Sequence, residues 1–145
     1  LETIASPKTR FVMSFLAYVG VGILGVIVFF VGAQLLLVAR MKRQRGKQAP
    51  DLTGKAQRRV KQGKPALFYF YSPACGACRT MTPVVRRLEK ESKVVFSVDI
   101  SKDMDTARKF GVMATPTTVV VDKGIIRDIL IGPQPQQTLE ALADA

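Results

Sequence analysis

From Phe11 to Ala39 the chain carries no charged side chain, and these 29 residues (FVMSFLAYVGVGILGVIVFFVGAQLLLVA) set the first limit on what it can fold into. About 20 apolar helical residues cross the hydrocarbon core of a bilayer, so the run predicts one membrane-spanning helix with length to spare for tilt. A cleaved signal peptide has an apolar region of only about 7 to 15 residues, ending at a small-residue cleavage site. This run is too long for that. A buried core helix is a weaker alternative still, because little else in 145 residues is available to surround it. Gly20, Gly22, Gly25 and Gly32 lie in the span, but no two are four apart, so the close-packing motif of paired membrane helices is absent.

The net charge of +11 would suggest a nucleic-acid binder if it were spread evenly, and it is not. Residues 39–64 hold ten basic groups against Asp51, whereas residues 65–145 hold ten against nine. Arg40, Lys42, Arg43, Arg45 and Lys47 follow the span directly and outweigh Lys8 and Arg10 before it. Basic flanks stay on the cytoplasmic side, so the C-terminal region is expected there, with a periplasmic orientation as the alternative. Anionic lipid headgroups would attract the cluster, at about 1 kcal/mol per basic group near the surface. Without interleaved aromatics or a binding motif, the stretch does not read as a nucleic-acid patch.

There are two cysteines, Cys75 and Cys78, and no histidine. A zinc site needs three or four protein ligands, drawn mostly from these two residue types, so no metal site is expected. One bridge across so short a loop removes little chain entropy, which argues against a structural disulfide. A redox pair remains. The surrounding pattern alternates strand and helix: ALFYFY at 66–71, an apolar stripe through Met81, Val84, Val85 and Leu88 in a helix from Cys75 to about Glu91, and VVFSVD at 94–99. A short helix follows at 103–110, then strands at 117–121 and 125–131 joined through Asp122-Lys123-Gly124, then a closing helix at 136–142. The order βαβαββα implies an α/β fold with a mixed sheet covered by helices. Pro73 discourages helix before the cysteines, which places Cys75 at a helix N-terminus and Cys78 one turn later on the same face. Free amide groups and the helix dipole there favour the Cys75 thiolate. Gly76 and Ala77 leave the site open and add no charge.

Over roughly residues 53–145 the chain resembles the thioredoxin family. GKPALFYFYSPACGACRTMTPVVRRLEKE is similar to that family's strand and active-site helix, with Pro83 at the helix-kinking proline. KFGVMATPTTVVVDKGIIRDILIG is similar to its second signature. The resemblance implies a thioredoxin-like fold, a cis peptide bond before Pro116, and a substrate-binding surface made by Gly76, Ala77, Thr115 and Pro116. It also implies that Cys75 is the nucleophile and Cys78 the resolving thiol, that no cofactor beyond their redox-active disulfide is needed, and that the partners are protein disulfides or dithiols. Three features depart from the family. Gly-Ala stands between the cysteines where Gly-Pro is usual, Ala74 replaces a tryptophan, and Tyr69 occupies the place of a buried aspartate, with Val95 in place of that acid's lysine neighbour. No clear first strand precedes residue 53, so the domain looks trimmed at that edge. The organisation expected is an N-terminal flank (1–10), a transmembrane helix (11–39), a basic juxtamembrane linker with room for a short helix (40–64) and a thioredoxin-like domain (65–145). The function expected is a membrane-tethered disulfide reductase or electron carrier for membrane-associated substrates. The alternatives are an accessory docking subunit of a membrane complex and a periplasm-facing reductase for cytochrome maturation.

Overall fold

Along Ala66–Tyr71 the side chains alternate between two buried environments. Ala66, Phe68 and Phe70 join one apolar cluster, and Leu67 and Tyr69 the other. A strand with period-two alternation that is buried on both faces needs cover on both sides, which is what an α/β sandwich supplies. The computed structural model, which describes residues 7–144, has this form. Its elements are α1 (Pro7–Lys42), α2 (Gly54–Lys61), β1 (Ala66–Tyr71), α3 (Cys78–Glu91), β2 (Val95–Asp99), α4 (Met104–Lys109), β3 (Thr117–Asp122), β4 (Ile125–Ile131) and α5 (Gln136–Asp144). The strands form one mixed sheet in the order β2-β1-β3-β4, with β1 and β2 parallel and the other pairs antiparallel.

One face of the sheet is aromatic. Phe68 and Phe70 meet Phe110, at the end of α4, with ring centroids 4.9 and 5.4 Å apart. On the other face Leu67 and Tyr69 lie under Met81, Val85 and Leu88 of α3, together with Leu139 and Ala143 of α5. Cys78, Met81, Val85 and Leu88 are spaced three and four apart, the stripe a helix needs to bury one side. At the N-terminus of α4 the Asp103 carboxylate accepts the Thr106 N–H at 3.0 Å, and the hydrogen bonding of Thr106 holds its carboxyl below the usual range.

The domain has two sheet edges and treats them differently. No strand flanks β2 on its outer side among the described residues, as the trimmed sequence implied. There the Glu89 carboxylate takes the Ser97 N–H at 3.1 Å and the Ser97 hydroxyl at 2.8 Å, occupying donors that an edge otherwise leaves open. At the β4 edge the chain itself supplies cover: Gly46 N–H donates to the Ile126 carbonyl, Ile126 N–H to that of Lys47, and Ala49 N–H to that of Gly124, at 2.8 to 2.9 Å. Residues 40–64, read from sequence as a basic linker, thus contain a segment hydrogen-bonded to the sheet. They also send Met41 and Val60 into the aromatic cluster. Gly111, at φ +70° just after α4, leaves the space that the Gln44 side chain fills.

The chain divides into two compact units between Leu37 and Val38. In the first, Val12 to Val31 are all exposed, and the helix is long and apolar enough to cross a membrane. The N-terminal flank read as 1–10 lies outside the described residues as far as Ser6, and Pro7 to Arg10 already belong to α1.

Met41 is 2 % exposed, although it stands among Arg40, Lys42 and Arg43. Met41→Ala should therefore lower the unfolding free energy by roughly 2–5 kcal/mol, as for other buried methionines. Denaturant unfolding of the full chain in non-ionic detergent measures this, and a change under about 0.5 kcal/mol would place Met41 with surface positions.

Candidate redox site

Two tight turns build the site. Ser72 opens the first, accepting the Cys75 N–H on its carbonyl at 3.0 Å and the Ala74 N–H on its hydroxyl at 3.3 Å. In the second, Cys78 N–H bonds to the Cys75 carbonyl and Arg79 N–H to that of Gly76, both at 3.2 Å. These three-residue bonds delay the helix: α3 begins at Cys78, with Ala77 at its N-cap, and not at Cys75 as the sequence reading had it. Cys75 stands just ahead of the helix, where its sulfur receives the Cys78 N–H at 3.2 Å. An amide at a helix N-terminus pointing at sulfur favours its anionic form.

The two sulfurs form a disulfide, with Cα atoms 5.3 Å apart, and their environments differ. Cys75 is half-buried, whereas Cys78 is 1 % exposed. In the disulfide Cys75 is thus the more exposed of the two and Cys78 the more shielded.

Tyr69 lies beneath Cys78. Thr82, one turn along α3, donates its hydroxyl to the Cys78 carbonyl at 2.7 Å. With that proton committed, the 3.1 Å contact between the Tyr69 and Thr82 hydroxyls is made by the phenol donating. A weaker 3.4 Å contact joins the phenol to the same Cys78 carbonyl. Burial pushes the Tyr69 phenol above its ordinary value of about 10, outweighing the opposing effect of the Thr82 bond. It is therefore a neutral donor that braces the first turn of α3, not a base. In the sheet register Ser97 stands opposite Tyr69 and Val95 opposite Leu67, and Val95 shares the buried cluster of Leu67 and Tyr69.

Thr115 and Pro116 precede β3, joined by a cis peptide bond. The Thr117 hydroxyl donates to the Ala114 carbonyl at 2.8 Å, and Gly132 N–H to that of Pro116 at 2.8 Å, which pins this loop from both sides. Pro116 is buried and Thr115 half-buried. A cavity of about 610 Å³ adjoins the disulfide, lined by both cysteines, Pro73, Arg79, Thr82, Arg86, Asp99 and Lys102 among others. Gly76 and Ala77 are exposed beside it, and neither they nor Thr115 and Pro116 form its walls. Thr82 and Arg86 had a sequence signal, since they fall four and eight residues after Cys78 on one helical face. Asp99 and Lys102 arrive from the end of β2, and only the fold brings them here. A larger cavity, about 880 Å³, lies between α2 and the end of α3 and is lined by Lys55, Arg58, Arg59, Lys64, Lys90 and Lys93. It is lined by no cysteine, so thiol chemistry belongs to the smaller one.

The family model described as thioredoxin matches residues 52–145, well over half of the chain. The chain belongs to the thioredoxin family. It is 34% identical over 92 residues to the thioredoxin of Alicyclobacillus acidocaldarius, covering 61% of this chain and 88% of that protein. With Bacillus subtilis thioredoxin it shares 33% identity over 79 residues, 52% of this chain and 75% of the relative. Its fold matches a single-substitution mutant of thioredoxin from Halobacterium salinarum with a TM-score of 0.54 at 25% identity, over 68% of this chain and 94% of that one. Family membership and the Cys75–Cys78 disulfide make the protein a thioredoxin-type thiol–disulfide oxidoreductase, and thioredoxins act on protein disulfides.

For this thioredoxin-family protein, a raised phenol means that any stability tied to the neutral form of Tyr69 is complete below about pH 10 and fades only as pH rises beyond it. Tyr69→Phe should therefore leave the pH profile of disulfide exchange between about pH 6 and 9 unchanged in shape, while lowering stability by about 1 kcal/mol. A titration limb that moved in the variant would make Tyr69 a proton acceptor after all.

Proposed function

We propose that the protein is a membrane-tethered disulfide reductase or electron carrier, with Cys75 as the nucleophile and Cys78 as the resolving thiol. The observation that carries the reading is the asymmetry of the pair: an accessible Cys75 sulfur facing a helix N-terminal amide at 3.2 Å, in front of a Cys78 that is 1 % exposed. The Cys75 thiolate attacks one sulfur of a partner disulfide and releases one partner thiolate. Cys78 then attacks the Cys75 sulfur, releasing the second and leaving the Cys75–Cys78 disulfide. Electrons are carried by these two sulfurs without a dissociable cofactor. Gly76 and Ala77 border the path of approach, and the backbone of Thr115, which no hydrogen bond among the described residues uses, offers a donor and an acceptor to a substrate chain beside Pro116.

The apolar α1 supports a single-pass anchor, and the basic residues after it support a cytoplasmic domain. A reducing compartment favours the reductase direction. Tethering raises the effective concentration of the site near membrane proteins or a membrane complex, its natural substrates.

Cys75→Ser should abolish exchange, and Cys78→Ser should accumulate a mixed disulfide with an oxidised partner; retention of turnover by Cys75→Ser would remove Cys75 as the nucleophile, and failure of the unmutated protein to exchange at all would shift the reading to a docking subunit. Equilibration with a glutathione or thioredoxin buffer should give a potential near about −270 mV, the figure known for thioredoxin itself, whereas one near about −120 mV would mark an oxidant. Membrane-impermeant maleimide should label the reduced cysteines in inverted vesicles and not in intact cells; the opposite pattern would put the domain on the other side.

A further inference from the structure

The walls of the cavity beside the disulfide carry a charge that the rest of the domain does not. Residues 65–145 are close to neutral, with ten basic and nine acidic side chains, yet Arg79, Arg86 and Lys102 line this cavity against a single acid, Asp99. The three cations are exposed, and none forms an ion pair among the described residues. The ionised Asp99 offsets one of them, so the cavity keeps a net excess of positive charge. The Asp99 carboxylate is engaged by the Ser101 N–H at 3.0 Å and the Ser101 hydroxyl at 2.6 Å. That bonding, chiefly, holds its carboxyl below the usual range, and Lys102 and Arg86 contribute to the same shift. Two elements converge here: Arg79 and Arg86 project from α3, and Asp99 and Lys102 come from the end of β2.

A cleft with one sign of charge concentrates opposite charge and raises association rates by about 10- to 10³-fold. Cations near a thiol also promote its ionisation, but that effect accelerates attack on every disulfide equally. The substrate's own charge acts on its arrival, which salt screens, and on the pKa of its leaving thiol, which salt leaves nearly unchanged.

We propose that this cavity selects disulfides flanked by anionic groups: acidic peptide segments around a protein disulfide or, among small molecules, disulfides that carry carboxylates. The inference rests on the exchange reading and names the substrate class for it. The anionic flanks sit against Arg86 and Lys102 while Cys75 attacks the nearer sulfur. One partner thiolate leaves, Cys78 displaces the other, and two electrons pass from the protein dithiol to the partner disulfide.

Single-turnover kinetics test this. The full chain in non-ionic detergent is reduced, freed of reductant and mixed with oxidised glutathione (anionic), bis(2-hydroxyethyl) disulfide (neutral) or cystamine (cationic). Acid quenching and alkylation report the loss of the Cys75 and Cys78 thiols. The glutathione-to-cystamine rate ratio at low salt should exceed the same ratio at about 0.5 M salt by about tenfold or more, the high-salt ratio reflecting the leaving thiols alone. Because both rates come from one protein at one pH, changes in Cys75 ionisation cancel in the ratio. The double variant Arg86→Gln/Lys102→Gln should lower the ratio at least about fivefold, which separates the cavity from the diffuse attraction of the basic residues at 39–64. A ratio that salt does not change, or one that the double variant leaves intact, overturns the inference while the neutral disulfide still reacts. Failure of the neutral disulfide to react overturns the exchange reading itself, and this inference with it.

Discussion

Burial of the strand Ala66–Tyr71 on both its faces is the interaction on which the rest of the domain depends. Phe68, Tyr69 and Phe70 are each no more than 1 % exposed. Each such side chain contributes on the order of 1.5–3 kcal/mol by leaving water. Two dense faces require two layers of cover, so α3 and α5 settle on one side and α4 on the other, together with Met41 and Val60. The carboxyl end of this strand is then held rigidly at the centre of the sheet. In open α/β sheets the crevice outside the strand ends is where chemistry is placed. Here the chain leaves β1 at Tyr71 and turns through Ser72 and Pro73, and within a few residues it reaches the cysteines.

The chemistry of the pair follows from where α3 begins. Starting the helix at Cys78 and not at Cys75 leaves the first sulfur in front of the helix N-terminus, receiving an amide, and puts the second inside the packed stripe. The same strand that anchors the sheet places Tyr69 under Cys78, where other family members carry an acid. A buried phenol cannot accept a proton in the neutral range, so its role here is geometric: it passes a hydrogen bond through Thr82 to the Cys78 carbonyl and fixes the first turn.

Residues 40–64 illustrate how one segment serves two demands. Its basic side chains carry most of the net charge of the chain. Its backbone at Gly46–Ala49 covers the start of β4, and Met41 and Val60 fill the aromatic face. The opposite edge, where a first strand would lie, is closed only by Glu89 on Ser97 among the described residues. The large basic cavity opens beside that edge, between α2 and the end of α3.

Local properties were legible in the order of residues. The uncharged run, the alternation of ALFYFY, the three-and-four spacing in α3, the hairpin at Asp122-Lys123-Gly124 and the C-x-x-C spacing each depend on neighbours a few positions away, and each appears in the fold where it was read. The departures all concern contacts between distant segments or the onset of a turn. Alternation does not say which residue of a neighbouring strand stands opposite Tyr69, and the sheet sets Ser97 there. Helix periodicity does not say where a turn will delay the first helical bond, so Cys75 lay outside α3. The sequence by itself determined an apolar helix of membrane-spanning length, an α/β domain and a reactive dithiol, because periodicity, charge and spacing are short-range. Only the tertiary structure decided that Met41 is core, that the Thr82 hydroxyl links Tyr69 to Cys78, and that Asp99 and Lys102 join Arg79 and Arg86 in the cavity beside the disulfide, because those arrangements arise when distant segments are packed against the same central strand.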